Sequence, residues 1–472
     1  NQDLFESFRD RNISIILGGG SVLPPVTTPI SPPPISPPIS PPISSPSPSP
    51  SPTLTASTPI EPPDIQVDPP LPTVPPVETV VTIPSQAEAQ DILLDISDAT
   101  GIQPALIYIQ FITPQLPINQ DFVGRETALT QDFIDYFDNP GDSAELALTV
   151  EPQATDQLEI LLVPPSGDPI RYRVEATRAE VIDMARQFRS TITDRRSRPQ
   201  DYLPLAQQLH GWFIQPILSD LEELGIENLS FVMDDGLRSL PMAALHDGND
   251  FIIDQYSIGM MPSLSLVETT YTPTTDLQVL AMGASEFETL PPLPNVPDEL
   301  AAIADLWPTT TRLNEPFTIE NLRALRNETP YGIVHLATHG FFEPGNLGNS
   351  YIQFWEQKLT MAEFRSLQLS VPTTELLVLS ACQTALGDRT AELGFAGLAH
   401  QTGVKSVLAS LWFVSDEATR VLMTEFYTQL QTTPTKADAL RLAQQRLASQ
   451  TGRRSFAHPY YWSAFTLIGN PW

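Results

Sequence analysis

The sequence of residues 276–472 predicts an α/β fold, a mostly parallel β-sheet with helices on both of its faces. Three segments in this region, Gly332–Thr338, Leu376–Ala381 and Val404–Leu411, have the continuous apolar character of strands that are buried on both sides. Segments with apolar residues at helical spacing accompany these strands. This alternation is typical of parallel sheets, because each crossover between parallel strands requires a long connection.

The remaining predicted elements of this region carry recognisable start signals. Pro297 lies near the start of one helix, and Ser415 can cap another whose first turn carries Asp416 and Glu417, where a helix favours negative charge. In chain order these elements are a strand at Leu277–Met282, helices at Val296–Trp307, Thr318–Asn327, Ser415–Leu430 and Thr435–Gln450, and a strand at Trp462–Ile468.

Residues 85–275 also have globular character and predict a separate α/β half. Alternating or continuous apolar runs indicate its strands, and apolar residues at helical spacing indicate its helices. The predicted strands are Ile102–Thr113, Leu158–Val163, Arg171–Val174 and Asn228–Met233, and the predicted helices are Thr177–Thr193, Leu203–Leu224 and a short one at Ser239–Leu245.

A proline-rich segment, residues 23–84, precedes this half. Residues 24–76 hold 22 of the 49 prolines, and no charged residue occurs from Asn12 to Ile60. Proline fixes φ and donates no backbone hydrogen bond, so we expect a disordered polyproline II linker. Its Pro-x-x-Pro matches leave open a role as a docking strip for aromatic grooves. Residues 1–22 are expected to be the remnant of an upstream region.

Composition excludes several classes of function. A net charge of −31 repels phosphate backbones, so no nucleic-acid partner is expected. Cys382 is the single cysteine, which rules out an intrachain disulfide. Neither a structural metal nor a cofactor is expected. No run of 18 apolar residues is present, so no transmembrane segment is predicted.

Two of the predicted strands end in residues capable of acyl transfer. One leads into His339 and Gly340, and the other into Cys382, 43 residues after His339. If the strands are adjacent, a thiol and an imidazole leave the sheet at the same edge. The imidazole can then take the thiol proton and return it to a leaving amine, which predicts a catalytic dyad of Cys382 and His339.

Further site residues follow from this dyad. The backbone N–H groups of Gly340 and Cys382 are candidates for an oxyanion hole, since glycine lets the backbone approach a substrate carbonyl. Asp388, together with Glu343, would favour a basic residue before the scissile bond, although both positions also suit solvent-exposed loops.

Other candidate residues are interpreted as structural. His335 is expected in the core, on the same strand face as His339, and His400 on the surface. His458 is expected to have a structural role. Trp412 either lines the edge of the active site or packs in the interior.

Most of the globular sequence resembles the CHAT domain, a caspase-like domain of the same clan as caspases and separases. The similar segments are Met233–Leu245, Met261–Leu266, Val334–Phe342, Leu379–Leu386, Gly394–Leu398, Gly403–Thr419, Ala439–Gln444 and His458–Gly469. The resemblance implies a caspase-like fold, places His339 and Cys382 on the family's catalytic dyad, and makes residues 85–275 a non-catalytic half beside a catalytic half at 276–472. The family often carries tetratricopeptide repeats, but this sequence has no 34-residue period.

The leading functional hypothesis is therefore a cysteine endopeptidase with a protein substrate and, by resemblance, an activating protein partner or self-cleavage. A catalytically silent interaction scaffold is an alternative. A third hypothesis is the C-terminal part of an exported envelope or adhesin protein, with the linker as a stalk. The chain begins with Asn, so we expect a fragment or processed product; a cytoplasmic location is favoured over export through a missing N-terminal region.

Overall fold

A computed structural model describes residues 82–113, 122–138, 152–343, 348–384, 394–395, 397–452 and 455–472. The predicted upstream remnant and nearly all of the predicted linker lie outside these residues. The described residues fall within one compact unit and share a 13-stranded sheet. This architecture confirms the prediction of an α/β fold with a large, mostly parallel sheet.

Nine of the thirteen described strands correspond to strands that the sequence predicted, and four were not predicted. In chain order they are β1 (Pro104–Ile112), β2 (Gln157–Val163), β3 (Ile170–Thr177), β4 (Asn228–Met233), β5 (Ser257–Met261), β6 (Val279–Gly283), β7 (Thr309–Leu313), β8 (Ile333–Phe342), β9 (Tyr351–Gln353), β10 (Lys358–Thr360), β11 (Leu376–Thr384), β12 (Ser406–Ser410) and β13 (Phe465–Gly469).

Several helices begin at polar caps that the sequence supplies. Ser85 with Glu88 and Thr177 with Glu180 form capping boxes, and the Ser415 hydroxyl accepts from Ala418 N. The helices of the described ranges include α1 (Gln86–Thr100), α2 (Phe122–Asp138), α3 (Arg178–Ile192), α4 (Pro199–Phe213), α5 (Leu218–Glu223), α6 (Val296–Leu306), α7 (Ile319–Glu328), α8 (Leu398–Thr402), α9 (Asp416–Leu430), α10 (Lys436–Ala448) and α11 (Pro459–Trp462).

The sheet runs without interruption through both predicted halves. Its order is β10-β9-β8-β11-β12-β13-β5-β4-β1-β2-β3, and β6 pairs with β8 on one side and β7 on the other. Seven strand pairings are parallel and five are antiparallel. The halves join where Ile468 of β13 pairs with Met260 of β5. The predicted division between residues 275 and 276 stays a prediction.

Two predicted elements differ in the structure for identifiable reasons. The helix predicted at Leu203–Leu224 is broken into α4 and α5, because Pro216 lies in the intervening turn and cannot continue a helix. The short helix predicted at Ser239–Leu245 is reduced to a single 3₁₀ turn at Met242–Ala244. No helix in the described ranges is both long and apolar enough to cross a membrane.

Candidate active site

Strands β8 and β11 are adjacent and parallel, which is the condition that the dyad prediction set. In their register His339 lies opposite Ala381, and Gly340 lies opposite Cys382. The register shifts between Leu379 and Ala381, just before the cysteine. The backbones of the two predicted dyad residues are therefore neighbours in one sheet. The side chain of Cys382 lies outside the described part of the chain.

The His339 ring is buried and held by a carbonyl group. The residue is 4% exposed, and its Nε2 lies 2.9 Å from the carbonyl oxygen of Pro291. A carbonyl oxygen only accepts hydrogen bonds, so Nε2 must carry the proton. This assigns the neutral tautomer whose Nδ1 is left as a proton acceptor. An Nδ1 that can accept a proton is one of the properties that a general base requires.

Aromatic rings surround the imidazole. Phe287 lies 4.8 Å away between ring centroids, Phe341 lies 6.1 Å away, and Phe413 lies 6.2 Å away in a nearly parallel orientation. Burial lowers the pKa of His339, an effect opposed by the hydrogen bond to Pro291 and by the charge of Asp416. The lowered pKa favours a neutral ring at pH 7.

Asp416 is the acidic group that acts on this ring electrostatically. It begins helix α9, and its Oδ2 accepts from Asn295 N at 2.6 Å and from Asn295 Nδ2 at 2.8 Å. Burial raises the pKa of Asp416, and the charge of Glu299 raises it further. A small cavity beside it is also lined by Glu299, Ser380 and Phe413.

His335 is a core residue, as predicted. Its Nε2 lies 2.9 Å from Glu299 Oε1, and its Nδ1 lies 3.2 Å from the Tyr427 hydroxyl. His335 and Glu299 are almost completely buried. The two contacts fix the ring between α6 and α9.

Of the two other histidines for which the sequence made a prediction, one prediction is wrong and one agrees with the structure. His400 was predicted on the surface, and this prediction is wrong: the residue is only partly exposed, and burial together with Arg365 lowers the pKa of His400 to about 4. His458 is structural, as predicted. Its Nδ1 accepts from Tyr460 N at 3.0 Å, and its Nε2 lies 3.0 Å from Ser197 O.

Trp412 is packed rather than open to a cleft. It is 6% exposed, and its indole N–H donates to the carbonyl oxygen of Tyr460 at 3.0 Å. Of the two roles that the sequence left open for Trp412, packing in the interior is the one that the structure shows. Its neighbour Phe413, 42% exposed, is one of the three aromatic rings that lie around His339.

The remaining predicted site residues are only partly described. Gly340 pairs with Cys382 on one side and with Ile352 of β9 on the other, so an oxyanion role requires its N–H to be free of both ladders. Glu343 is exposed. Asp388 lies outside the described residues, and its predicted role in substrate binding stays a prediction.

Several residues around His339 were missed from the sequence. Pro291 and Asn295 lie in a loop before α6, and Phe287 lies further upstream, with no local pattern to mark them. Asp416 was visible only as a favourable charge at a helix start. Among the described residues, no cluster of three or more His, Cys, Asp or Glu side chains is suited to hold a metal ion.

Comparisons with known proteins agree with the resemblance seen in the sequence. A segment of 118 residues is 35% identical to tetratricopeptide repeat protein 28 of Mus musculus, covering 24% of this chain and 4% of that protein. The separase–securin complex of Saccharomyces cerevisiae aligns with a TM-score of 0.48 at 13% identity, over 81% of this chain and 30% of that chain.

The Arg-specific cysteine proteinase gingipain R, RgpB of Porphyromonas gingivalis, aligns with a TM-score of 0.38 at 13% identity, over 62% of this chain and 74% of that chain. Scores below 0.5 at such identities identify no activity. The sequence profile of the CHAT domain, in contrast, matches residues 203–470, more than half of the chain and including β8 and β11. The chain belongs to the CHAT domain family.

Proposed function

We propose that this protein is a cysteine endopeptidase that hydrolyses peptide bonds of protein substrates through a dyad of His339 and Cys382. The observation that carries the proposal is the register of β8 and β11, which makes the backbones of the dyad residues neighbours. The hydrogen bond from His339 Nε2 to Pro291 O supports it further, because Nδ1 is left able to accept a proton. The family's caspase-like resemblance points to the same chemistry.

In the proposed reaction, the proton of the Cys382 thiol passes to His339 Nδ1. The resulting thiolate attacks the carbonyl carbon of the scissile bond and forms a tetrahedral intermediate. The imidazolium then gives its proton to the leaving amine as the carbon–nitrogen bond breaks, and water hydrolyses the thioester in a second cycle. Pro291 O holds the ring in position throughout and stabilises the imidazolium that forms.

Substrate recognition is part of the same proposal. The N–H groups of Gly340 and Cys382 would stabilise the oxyanion, and Asp388 with Glu343 would favour a basic residue before the scissile bond. A peptide library tests this preference, since cleavage after acidic residues would contradict it. An activating protein partner or self-cleavage, as the family resemblance implies, would complete the site.

Labelling with a cysteine-directed acyloxymethyl ketone tests the dyad. Wild type should be labelled, Cys382→Ala should not, and His339→Ala should be labelled much more slowly because its thiol stays protonated. Arg186→Met is a matched control, since Arg186 is exposed on α3 away from the dyad strands. Equal labelling of wild type and both dyad variants would contradict the proposal.

One observation favours the alternative of a silent interaction scaffold. The His339 ring is almost completely buried among three phenylalanines, which limits access for a substrate. The two functions separate in one experiment. A scaffold would bind its protein partner with unchanged affinity in Cys382→Ala and would leave that partner intact.

A further inference from the structure

The segment that carries Phe413 and Asp416 to His339 is held in part by α3 of the predicted non-catalytic half. This segment, residues 411–416, runs from the end of β12 into the first residue of α9. On one side Phe413 lies against the His339 ring and Asp416 binds Asn295. On its other side the segment contacts Arg189 of α3 and also Tyr460 and Ala464.

Arg189 is buried and contacts two backbone carbonyl groups from different halves of the chain. It is 2% exposed, its Nη2 donates to Leu411 O at 2.7 Å, and its Nη1 donates to Ser239 O. Its guanidinium carbon lies 5.8 Å from the centroid of the Trp412 ring. A rigid planar fork suits two carbonyls and an aromatic face together, which a lysine ammonium cannot match.

Phe413 is held in place by short hydrogen bonds to its own backbone and to the backbone and side chain of the two residues before it. The Trp412 indole donates to Tyr460 O at 3.0 Å, and the Tyr460 hydroxyl donates to Phe413 O at 2.8 Å. Leu411 N donates to Ala464 O at 2.7 Å. With Arg189 on Leu411 O, both backbone polar groups of Leu411 are fixed. The backbone before Phe413 therefore has little freedom.

We propose that Arg189, a residue of the non-catalytic half, is a positioning residue for His339 that acts through the backbone of residues 411–413. The proposal rests on the proposed function for its effect on turnover. On this proposal, the N-terminal half contributes to the site by holding residues 411–413, so that the Phe413 ring stays packed against the imidazole of His339.

The test compares Arg189→Lys and Arg189→Met with Arg186→Met, whose arginine is exposed on the same helix. We expect both Arg189 variants to lower kcat about tenfold or more with little change in KM, since small displacements of catalytic groups have effects of this size. The Arg186 variant should match wild type. If Arg189→Met does not fold, Arg189→Lys, which keeps the charge, carries the test.

A second readout separates positioning from stability. In protein labelled with ¹³C at histidine, the pKa of His339 should rise toward its ordinary value in Arg189→Lys, because water reaches the ring. In a Phe413→Ala background this effect of Arg189→Lys should shrink, because the two side chains act through one segment.

An unchanged pKa of His339 in Arg189→Lys, or a shift that persists fully in the Phe413→Ala background, would overturn the inference. A loss of thermal stability with normal kcat would also overturn it, since the role would then be structural only. If the acyloxymethyl ketone did not label wild type at all, the proposed function would be contradicted. The pKa of His339 in Arg189→Lys would still test the role of Arg189 in that case.

Discussion

Glu126 in the N-terminal half and Glu299 in the C-terminal half are both buried carboxylates, but their surroundings differ. Glu126 accepts hydrogen bonds from the Tyr108 hydroxyl, from Leu264 N at 2.9 Å, and from the N–H and hydroxyl of Ser265 at 3.2 and 2.9 Å. Glu299 binds His335 through Oε1, and its Oε2 has no hydrogen-bond partner among the described residues.

Glu159, a second buried carboxylate of the N-terminal half, resembles Glu126 in having partners for both of its oxygens. Glu159 is fully buried and contacts Arg125, with Arg171 and Arg173 at 3.4 and 3.2 Å. Buried charge of this kind stabilises a fold only when its hydrogen-bonding capacity is filled. The comparison shows that the buried acids Glu126 and Glu159 of the N-terminal half each connect several chain segments through hydrogen bonds or ion pairs. In the C-terminal half, Glu299, which binds His335, and Glu375 each keep one buried carboxylate oxygen without a hydrogen-bond partner among the described residues.

The largest expected effect comes from Glu126→Gln. The NH₂ end of the new amide cannot accept a hydrogen bond, so the donors at one of the two carboxylate oxygens of Glu126 would lose their acceptor. We expect a loss of about 3–5 kcal/mol in the free energy of unfolding, measured by urea titration, because two buried donors are left unpaired at about 1–3 kcal/mol each. Glu223→Gln, at an exposed position of α5, should change stability by less than about 0.5 kcal/mol. A loss below about 1 kcal/mol in Glu126→Gln would remove the distinction between the two halves.

The next effect concerns His400, a histidine that has no role in either carboxylate cluster. Burial and Arg365 lower the pKa of His400 to about 4. Between pH 6.5 and 4 the unfolded chain binds a proton that the folded protein does not, so stability falls as the pH is lowered. Relative to pH 7, wild type should lose about 2–3 kcal/mol more than His400→Gln at pH 4.5, by urea titration. Equal losses would place His400 in solvent, as the sequence had predicted.

A smaller effect is expected for Glu299→Gln. The amide oxygen can keep the contact with His335, and the change removes a buried charge whose second oxygen is unpaired. We expect the free energy of unfolding to change by less than about 1 kcal/mol, because such a charge contributes little net stability. If Glu299→Gln destabilised the protein as much as Glu126→Gln, the two carboxylates would contribute equally to stability and the comparison would fail.

The smallest perturbation is Phe413→Ala, which removes one partly exposed ring from the wall around His339. Water should then reach the imidazole, and the pKa of His339 should rise toward its ordinary value. The titration of ¹³C-labelled histidine measures this directly. Val371→Ala, at a side chain that is 76% exposed, is the control. An unchanged pKa would mean that Phe287 and Phe341 alone bury the ring.

The sheet was predictable where the sequence is locally unambiguous. The runs that became β8 and β11 are continuously apolar, and both extend further than predicted, through His339 and Cys382. Helix α1 was missed although Ser85 and Glu88 form a capping box three residues apart. Strand β7 was missed because a short edge strand of threonines carries no apolar alternation.

The environment of the candidate site was much less predictable than its two central residues. A pair of strand ends is a local signal, but Pro291, Asn295 and Asp416 reach His339 only through the tertiary fold. Asn295 and Asp416 are 121 residues apart in sequence and joined by hydrogen bonds. The pKa of His339 depends on such contacts, so the sequence could suggest a base without giving its protonation state.

The position of β13 has a consequence for how the sheet is held together. This strand, Phe465–Gly469, follows the other described strands in chain order but lies in the interior of the sheet, between β12 and β5. Deleting residues 465–469 would leave β12 and β5 without their shared neighbour. Each would then present an unpaired strand edge that can pair with another chain, so we expect such a variant to aggregate.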